Sequence, residues 1–189
     1  MKTIQTILAA IILFAGVGVM AQKVEINTEK SNLEWLGKKV TGEKNGTIQL
    51  KEGYLQMKGD KIAGGEFIID MATIANIDVE DAEYKAKLEG HLKSDDFFGV
   101  EKYPTAKLEI KKASAFKDNK AQVTAHLTIK ETTLPVEFEV ERGEGQMMAT
   151  IVVDRSKYDV RYGSGSFFEG LGDKMIYDDF TLMVTLSLK

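Results

Sequence analysis

The strongest constraint in this chain is an alternation of apolar and polar residues, with a period of two, that returns in segment after segment. Ala106, Leu108 and Ile110 alternate with Lys107, Glu109 and Lys111. Ala121, Val123, Ala125, Leu127 and Ile129 alternate with Gln122, Thr124, His126 and Thr128. Val136, Phe138 and Val140 alternate with Glu137, Glu139 and Glu141, while Phe180, Leu182, Val184, Leu186 and Leu188 alternate mostly with Thr and Ser. A strand sends successive side chains to opposite faces, so each segment has one apolar face and one wet face. Strands of this kind share an inside, and short connections make neighbours antiparallel.

Earlier segments follow the same rule over shorter stretches. Leu33 and Trp35 flank Glu34, Ile48 and Leu50 flank Gln49, Leu55 and Met57 flank Gln56, and Phe67 and Ile69 flank Ile68. Turns are expected at Asn45-Gly46, Glu52-Gly53, Gly59-Asp60, Asp118-Asn119 and Gly143-Glu144-Gly145, where residues that tolerate positive φ sit between strands. About eight such strands close most readily into an up-and-down barrel, which removes the exposed edges of an open sheet. A two-sheet sandwich is the alternative. The stretch from Arg155 to Lys174, RSKYDVRYGSGSFFEGLGDK, has no clear period and reads as a long loop. Loops of that length are usually functional or mobile, and a purely solvated one would not need Tyr158, Tyr162, Phe167 and Phe168.

One segment, Glu80 to Ala106, breaks the run of strands. Tyr84, Leu88 and Leu92 recur every fourth residue and form an apolar line on a helix, with His91 beside it. Glu80, Asp81 and Glu83 suit the positive N-terminal end of that helix. Ser94, Asp95 and Asp96 are expected to cap the next turn, Phe97 and Phe98 supply a large apolar surface, and Pro104 returns Tyr103 to extended geometry. The segment reads as a plug or lid.

Residues 1–21 read as a secretory signal peptide: Met1-Lys2, an apolar run from Ile7 to Met20, and small Ala21 as the cleavage end. Gly16 and Gly18 interrupt the run, which falls short of the roughly 20 apolar residues of a spanning helix, so no membrane segment is expected after processing. A periplasmic or secreted protein follows, with one domain over residues 22–189. The chain has no cysteine, which excludes a disulfide framework, a thiol-anchored lipoprotein and thiolate chemistry. The formal charge is −4 with both signs interspersed, so nucleic acid, which demands a positive stripe, is not an expected partner.

Catalytic and metal chemistry find little support. A triad needs an imidazole, and only His91 and His126 are present; the parity of His126 turns it to solvent, and His91 reads as a partly buried helix residue. Asp95-Asp96 and Asp178-Asp179 are the best metal candidates, but neighbours on a strand diverge and the first pair suits a cap. No metal site and no catalytic residue is assigned. Gly163-Ser164-Gly165 and Gly170-Leu171-Gly172 lack the lysine and the setting of a phosphate loop, and Asn45-Gly46-Thr47 reads as a turn before it reads as a glycosylation sequon. What remains is an apolar interior, and periodicity does not say whether side chains fill it or one slender ligand does.

The phrase GHLKSDDFFGVEKYPTA, residues 90–106, resembles the YceI-like family of extracytoplasmic lipid-binding proteins. The resemblance continues through Trp35 to Gly42, Gly46-Thr47-Ile48, Gly64 to Met71, Leu127 to Lys130 and Asp154-Arg155, in the family's order. It departs at Lys44, where many members have histidine. The resemblance implies an all-β, antiparallel eight-stranded lipocalin-like barrel with the helix and aromatic turn as plug or lid. It further implies that the interior holds a long isoprenoid, such as a quinone tail or a polyprenyl phosphate, with no other cofactor and no catalytic motif. By strand parity the lining is expected to include Trp35, Phe67, Ile69, Leu108, Val123, Phe138, Ile151, Val153, Phe180 and Leu182, with Phe97 and Phe98 at one end. Arg155, Tyr158, Lys38 and Lys39 are the candidates for a polar head group. A structural or interaction domain with a filled core and a secreted hydrolase are the competing functions, and the sequence leaves open whether the barrel is a monomer or a homodimer.

Overall fold

A computed structural model of the protein describes residues 20–189, so the expected leader lies almost wholly outside the described residues. Eight strands follow one another: β1 Gln22–Lys39, β2 Gly42–Lys58, β3 Lys61–Asn76, β4 Thr105–Ala113, β5 Lys120–Ile129, β6 Thr132–Arg142, β7 Gln146–Asp154 and β8 Ile176–Leu188. Each pairs antiparallel with the next, and β8 returns to β1, closing the barrel. Among the described residues the one α-helix, α1, spans Ala82–Lys93 between β3 and β4. The alternation seen in the sequence is the reason: every second residue of β5 from Ala121 to Ile129 is buried and those between are exposed or half-buried, as on a strand with one face inside.

Two of the expected turns are not turns. Asn45-Gly46 and Glu52-Gly53 both lie within β2, whose hairpin with β1 turns at Val40-Thr41 instead. Each glycine makes room for an aromatic ring. A Cβ on Gly46 would overlap the Ala75 carbonyl oxygen and sit 2.5 Å from Cζ2 of Trp35; one on Gly53 would sit 2.8 Å from Cδ1 of Phe67. The space over Gly46 lets the Trp35 indole N–H reach across β2 and donate to the carbonyls of Thr47 at 3.3 Å and Ala75 at 3.2 Å. Glu52 instead marks a shift of register between β2 and β3. The other turn readings agree with the structure: Asp118 and Asn119 both have positive φ, 52° and 63°, the geometry of a tight hairpin turn.

The up-and-down order sends α1, the β1–β2 and β5–β6 turns and the β7–β8 loop to one end of the barrel. Contacts join them there: Val40 N–H donates to Met175 O at 3.1 Å, and Lys130 Nζ to Asp159 O at 2.9 Å. Asp81 caps α1 by accepting from Tyr84 N–H at 2.7 Å. The helical stripe is only partly seated. Leu92 is buried and Leu88 packs against the core, but Tyr84 is half exposed because the first turn of α1 overhangs the barrel. Asp95 and Asp96 are exposed and make no capping bond; the Ser94 carbonyl accepts from Phe97 and Gly99 N–H, and the Ser94 hydroxyl donates to His91 O.

A buried amide fastens this region. Asn76, fully buried at the end of β3, donates from Nδ2 to Asn45 O at 2.8 Å and to Asp78, and accepts from Val79 N–H at 2.9 Å. Its own N–H donates to Glu89 of α1 at 2.8 Å. Lys44 pairs with Asp78 at 3.1 Å. The wall is weakest between β6 and β7, which pair only at Val140–Ala149, Glu141–Met148 and Arg142–Met147.

Candidate functional site

The inward faces of the strands do not fill the barrel. A first chamber of about 120 Å³ is walled by residues that include Trp35, Ile48, Ile69, Met71, Ile74, Ala106, Ile129, Phe180 and Leu182. Leu92, Phe97 and Phe98 close it from the helix end, so the aromatic turn is a plug. A second chamber of about 80 Å³ continues toward the other end, walled by residues that include Leu55, Ile62, Phe67, Leu108, Phe138, Val140, Met147, Ile151 and Leu186. Both share Leu33, Ile69, Leu127 and Leu182, so the two adjoin at a waist of these four side chains and make up the apolar tunnel of the barrel. A single water needs about 10–15 Å³ on this measure, and apolar space of this kind stays dry. The tunnel is room that suits hydrocarbon and offers water almost no partner.

Half-buried side chains trace the hollow. Ile69, Phe180, Leu182 and Val184 point inward yet keep measurable exposure, because they face open space within the barrel. Leu33 and Leu127, the other residues common to both chambers, are buried.

Of the residues expected to line the interior, Trp35, Phe67, Ile69, Leu108, Phe138, Ile151, Phe180 and Leu182 do so, joined by Phe97 and Phe98. Val123 and Val153 do not: both point inward and are buried, but they belong to packed core away from either chamber. Parity gave their direction and could not give what covers them. Leu33 and Leu127, both at the waist, were missed, although each has the parity of a chosen neighbour, Trp35 and Val123.

Three of the four head-group candidates stand apart from the tunnel. Lys38 is exposed in an outer groove beside Asp154 and Asp179, Lys39 is half-buried at the end of β1, and Tyr158 is buried in the core; none lines a chamber. Arg155 does line the first chamber, the single charged residue in either lining among the described residues. Its donors are already engaged. Nε donates to Tyr177 O at 3.2 Å, one terminal nitrogen to Val160 O and Tyr162 O at 2.9 Å each, and the other to Ile176 O at 3.0 Å. The guanidinium also lies 3.6 Å from Asp178 and 5.4 Å from the centre of the Phe97 ring. Burial lowers its pKa from the ordinary arginine value, opposed by Asp178 and Asp154, yet a guanidinium stays charged. Arg155 therefore stitches the β7–β8 loop to β8 and forms a buried cationic rim, with no free fork for a phosphate.

His91 is wedged between rings, 4.2 Å from Tyr162 and 5.9 Å from Phe97, both edge-on. That contact joins α1 to the β7–β8 loop over the first chamber. His126 lies on the outer face of β5, exposed, across from Pro135. Asp178 accepts from Ser166 Oγ at 2.6 Å and faces Arg155, while Asp179 points outward, so the pair does not converge.

Comparison with known proteins places this architecture. BcnA of Burkholderia cenocepacia superposes with a TM-score of 0.67 at 20% identity, over 85% of this chain and 98% of that one. A polyisoprenoid-binding domain of Saccharophagus degradans, implicated in plant cell wall breakdown, superposes with a TM-score of 0.57 at 14% identity, over 88% and 97%. The YceI protein of Campylobacter jejuni gives a TM-score of 0.52 at 18% identity, over 69% and 74%. A search of curated proteins found no match. At these identities the likeness is one of fold, while the model of the YceI-like domain matches residues 24–188, from the start of β1 to the end of β8. With nearly all of its described length covered by that model, the chain belongs to the YceI-like family.

Proposed function

We propose that the protein binds and carries a long isoprenoid lipid, of the quinone or polyprenyl phosphate type, in an extracytoplasmic compartment. The observation that carries this reading is the pair of adjoining apolar chambers inside the barrel, whose linings contain one charged residue, itself engaged elsewhere. An extended hydrocarbon gains roughly 0.8 kcal/mol per buried CH₂, so such a tunnel holds a tail without any catalytic group. The polyisoprenoid-binding domain of Saccharophagus degradans, with the same fold, supports the choice of ligand class. The charged start and apolar run of the sequence support export with loss of residues 1–21. The tail lies against Trp35, Ile69, Phe180 and Leu182 and reaches past the waist to Phe67, Leu108, Phe138 and Ile151.

A direct test uses the single tryptophan, Trp35, which stands in the wall of the first chamber. Titration with geranylgeraniol should change its fluorescence saturably, with one molecule bound per barrel. No change, together with no displacement of water-soluble apolar dyes, would overturn the reading.

A further inference from the structure

Among the described residues, exposed aromatic side chains are confined to one end of the barrel. Tyr84, Tyr162, Phe167, Phe168 and Tyr177, exposed by 42% to 50%, all lie where α1 and the β7–β8 loop close the first chamber. The opposite end is different: its turns carry Gly59-Asp60, Asp118-Asn119 and Gly143-Glu144-Gly145, and its one nearby phenylalanine, Phe116, lies half-buried beneath Arg142 at 4.5 Å.

The loop holds its phenylalanines outward by construction. Phe167 and Phe168 N–H both donate to the carbonyl of buried Ser164, at 3.2 and 3.1 Å, and Ser164 bridges to Ile176 of β8. Ser166 Oγ is fixed on Asp178. Charge on the loop tip balances, with Arg161 and Lys174 against Glu169 and Asp173, so neither an anionic nor a cationic partner is selected. Amphipathic and aromatic rings without a charge bias suit the water–hydrocarbon boundary of a bilayer. The first chamber lies beneath this end, behind the plug of Leu92, Phe97 and Phe98.

We propose that this end of the barrel docks on a zwitterionic lipid bilayer through Phe167, Phe168 and Tyr162, so that an isoprenoid tail passes between membrane and tunnel without crossing water. The proposal rests on the lipid-carrier reading and names the surface from which the cargo is collected. Each methylene that must cross water disfavours release by roughly fourfold, which makes contact with the membrane the effective route for a long tail.

The test exploits the absence of cysteine. Glu169→Cys, beside Phe168, and Glu144→Cys, at the opposite end, each take one environment-sensitive fluorophore, and the labelled full chains are mixed with phosphatidylcholine vesicles. The label at 169 should shift to the blue on vesicles, and the shift should persist in about 1 M salt, where charge attraction is screened within about 3 Å. The label at 144 should not respond, which controls for the N-terminal apolar segment common to both. Adding Phe167→Ser and Phe168→Ser should weaken the response at 169 at least tenfold. No response at 169, an equal response at 144, or a shift driven by protein concentration without vesicles, as a second copy would cause, overturns the docking surface. Geranylgeraniol binding read from Trp35 on the same proteins separates the two ideas. Binding without a vesicle response refutes docking alone, and a vesicle response at 169 without binding refutes the tunnel reading alone.

Discussion

Closing the waist of the tunnel should turn a long-chain binder into a short-chain one. Ile69 and Leu182 face the open interior from β3 and β8 and border both chambers, so phenylalanine at both positions blocks passage while leaving Trp35 as the sole tryptophan. The second chamber runs along β3 from the waist to Ile62. At a rise of about 3.3 Å per residue that is roughly 23 Å of strand, or about 17 Å along the axis of a barrel with strands tilted about 40°. A tail excluded from it loses several five-carbon units. Losing even one costs roughly 4 kcal/mol at about 0.8 kcal/mol per CH₂, close to a thousandfold in affinity. The assay is a chain-length series, geraniol, farnesol and geranylgeraniol, titrated against Trp35 fluorescence. Wild type should bind more tightly with each added unit, whereas the Ile69→Phe, Leu182→Phe variant should stop gaining once the first chamber is full. Thermal unfolding checks that the variant is folded, since the added rings enter existing space and avoid much of the usual overpacking cost of about 1–3 kcal/mol. Parallel chain-length dependence in a folded variant would refute the idea that the two chambers form one site.

Other consequences are tied to single contacts. Gly46→Ala should destabilise the barrel by about 3 kcal/mol through overlap with Ala75 O and the Trp35 ring, lowering the thermal midpoint by roughly 6–12 °C; an unchanged midpoint would mean the indole can move aside without loss. At Asp78, burial alone would raise the pKa, but hydrogen bonds from Asn76 and Lys44 outweigh it and hold the carboxyl below its ordinary 3.8. A depressed carboxyl stabilises the fold above its unfolded value and loses that contribution as pH falls through the folded one. Asp78→Asn should thus be less stable than wild type at neutral pH by about 1 kcal/mol, with the difference vanishing in acid below 3.8; a constant difference across the titration would count against the pairing. In hydrogen exchange, alternate amides of β6 between Thr132 and Phe138, which face the unpaired stretch of β7, should exchange far faster than those of β5, and uniform protection would mean the seam is closed in solution.

The barrel was legible because its physics is local. Period two in β4, β5, β6 and β8 reports one covered face, and paired positive-φ residues such as Asp118-Asn119 report a hairpin without reference to anything distant. Gly46 and Gly53 misled for a definite reason. Glycine serves both where the backbone must turn and where another group must come close, and only the fold shows that Trp35 and Phe67 occupy the space above them. Reading them as turns cut β2 into pieces, whereas it runs unbroken from Gly42 to Lys58. In the site, most residues chosen by parity do line a chamber, but Val123 and Val153 do not, because direction is set by the strand and openness by the whole cross-section. Arg155 illustrates the same limit: a lone arginine beside an aromatic loop looks like a head-group ligand until four backbone carbonyls converge on it. The helical stripe failed at Tyr84 because α1 is longer than the ground it covers.

Solvent extraction of protein purified without detergent from its native host, followed by mass spectrometry, puts the whole account at stake. The expected result is one isoprenoid lipid per barrel in wild type, depleted in the Ile69→Phe, Leu182→Phe variant. Extracts with no lipid, from protein whose intact mass equals the polypeptide alone, would contradict it.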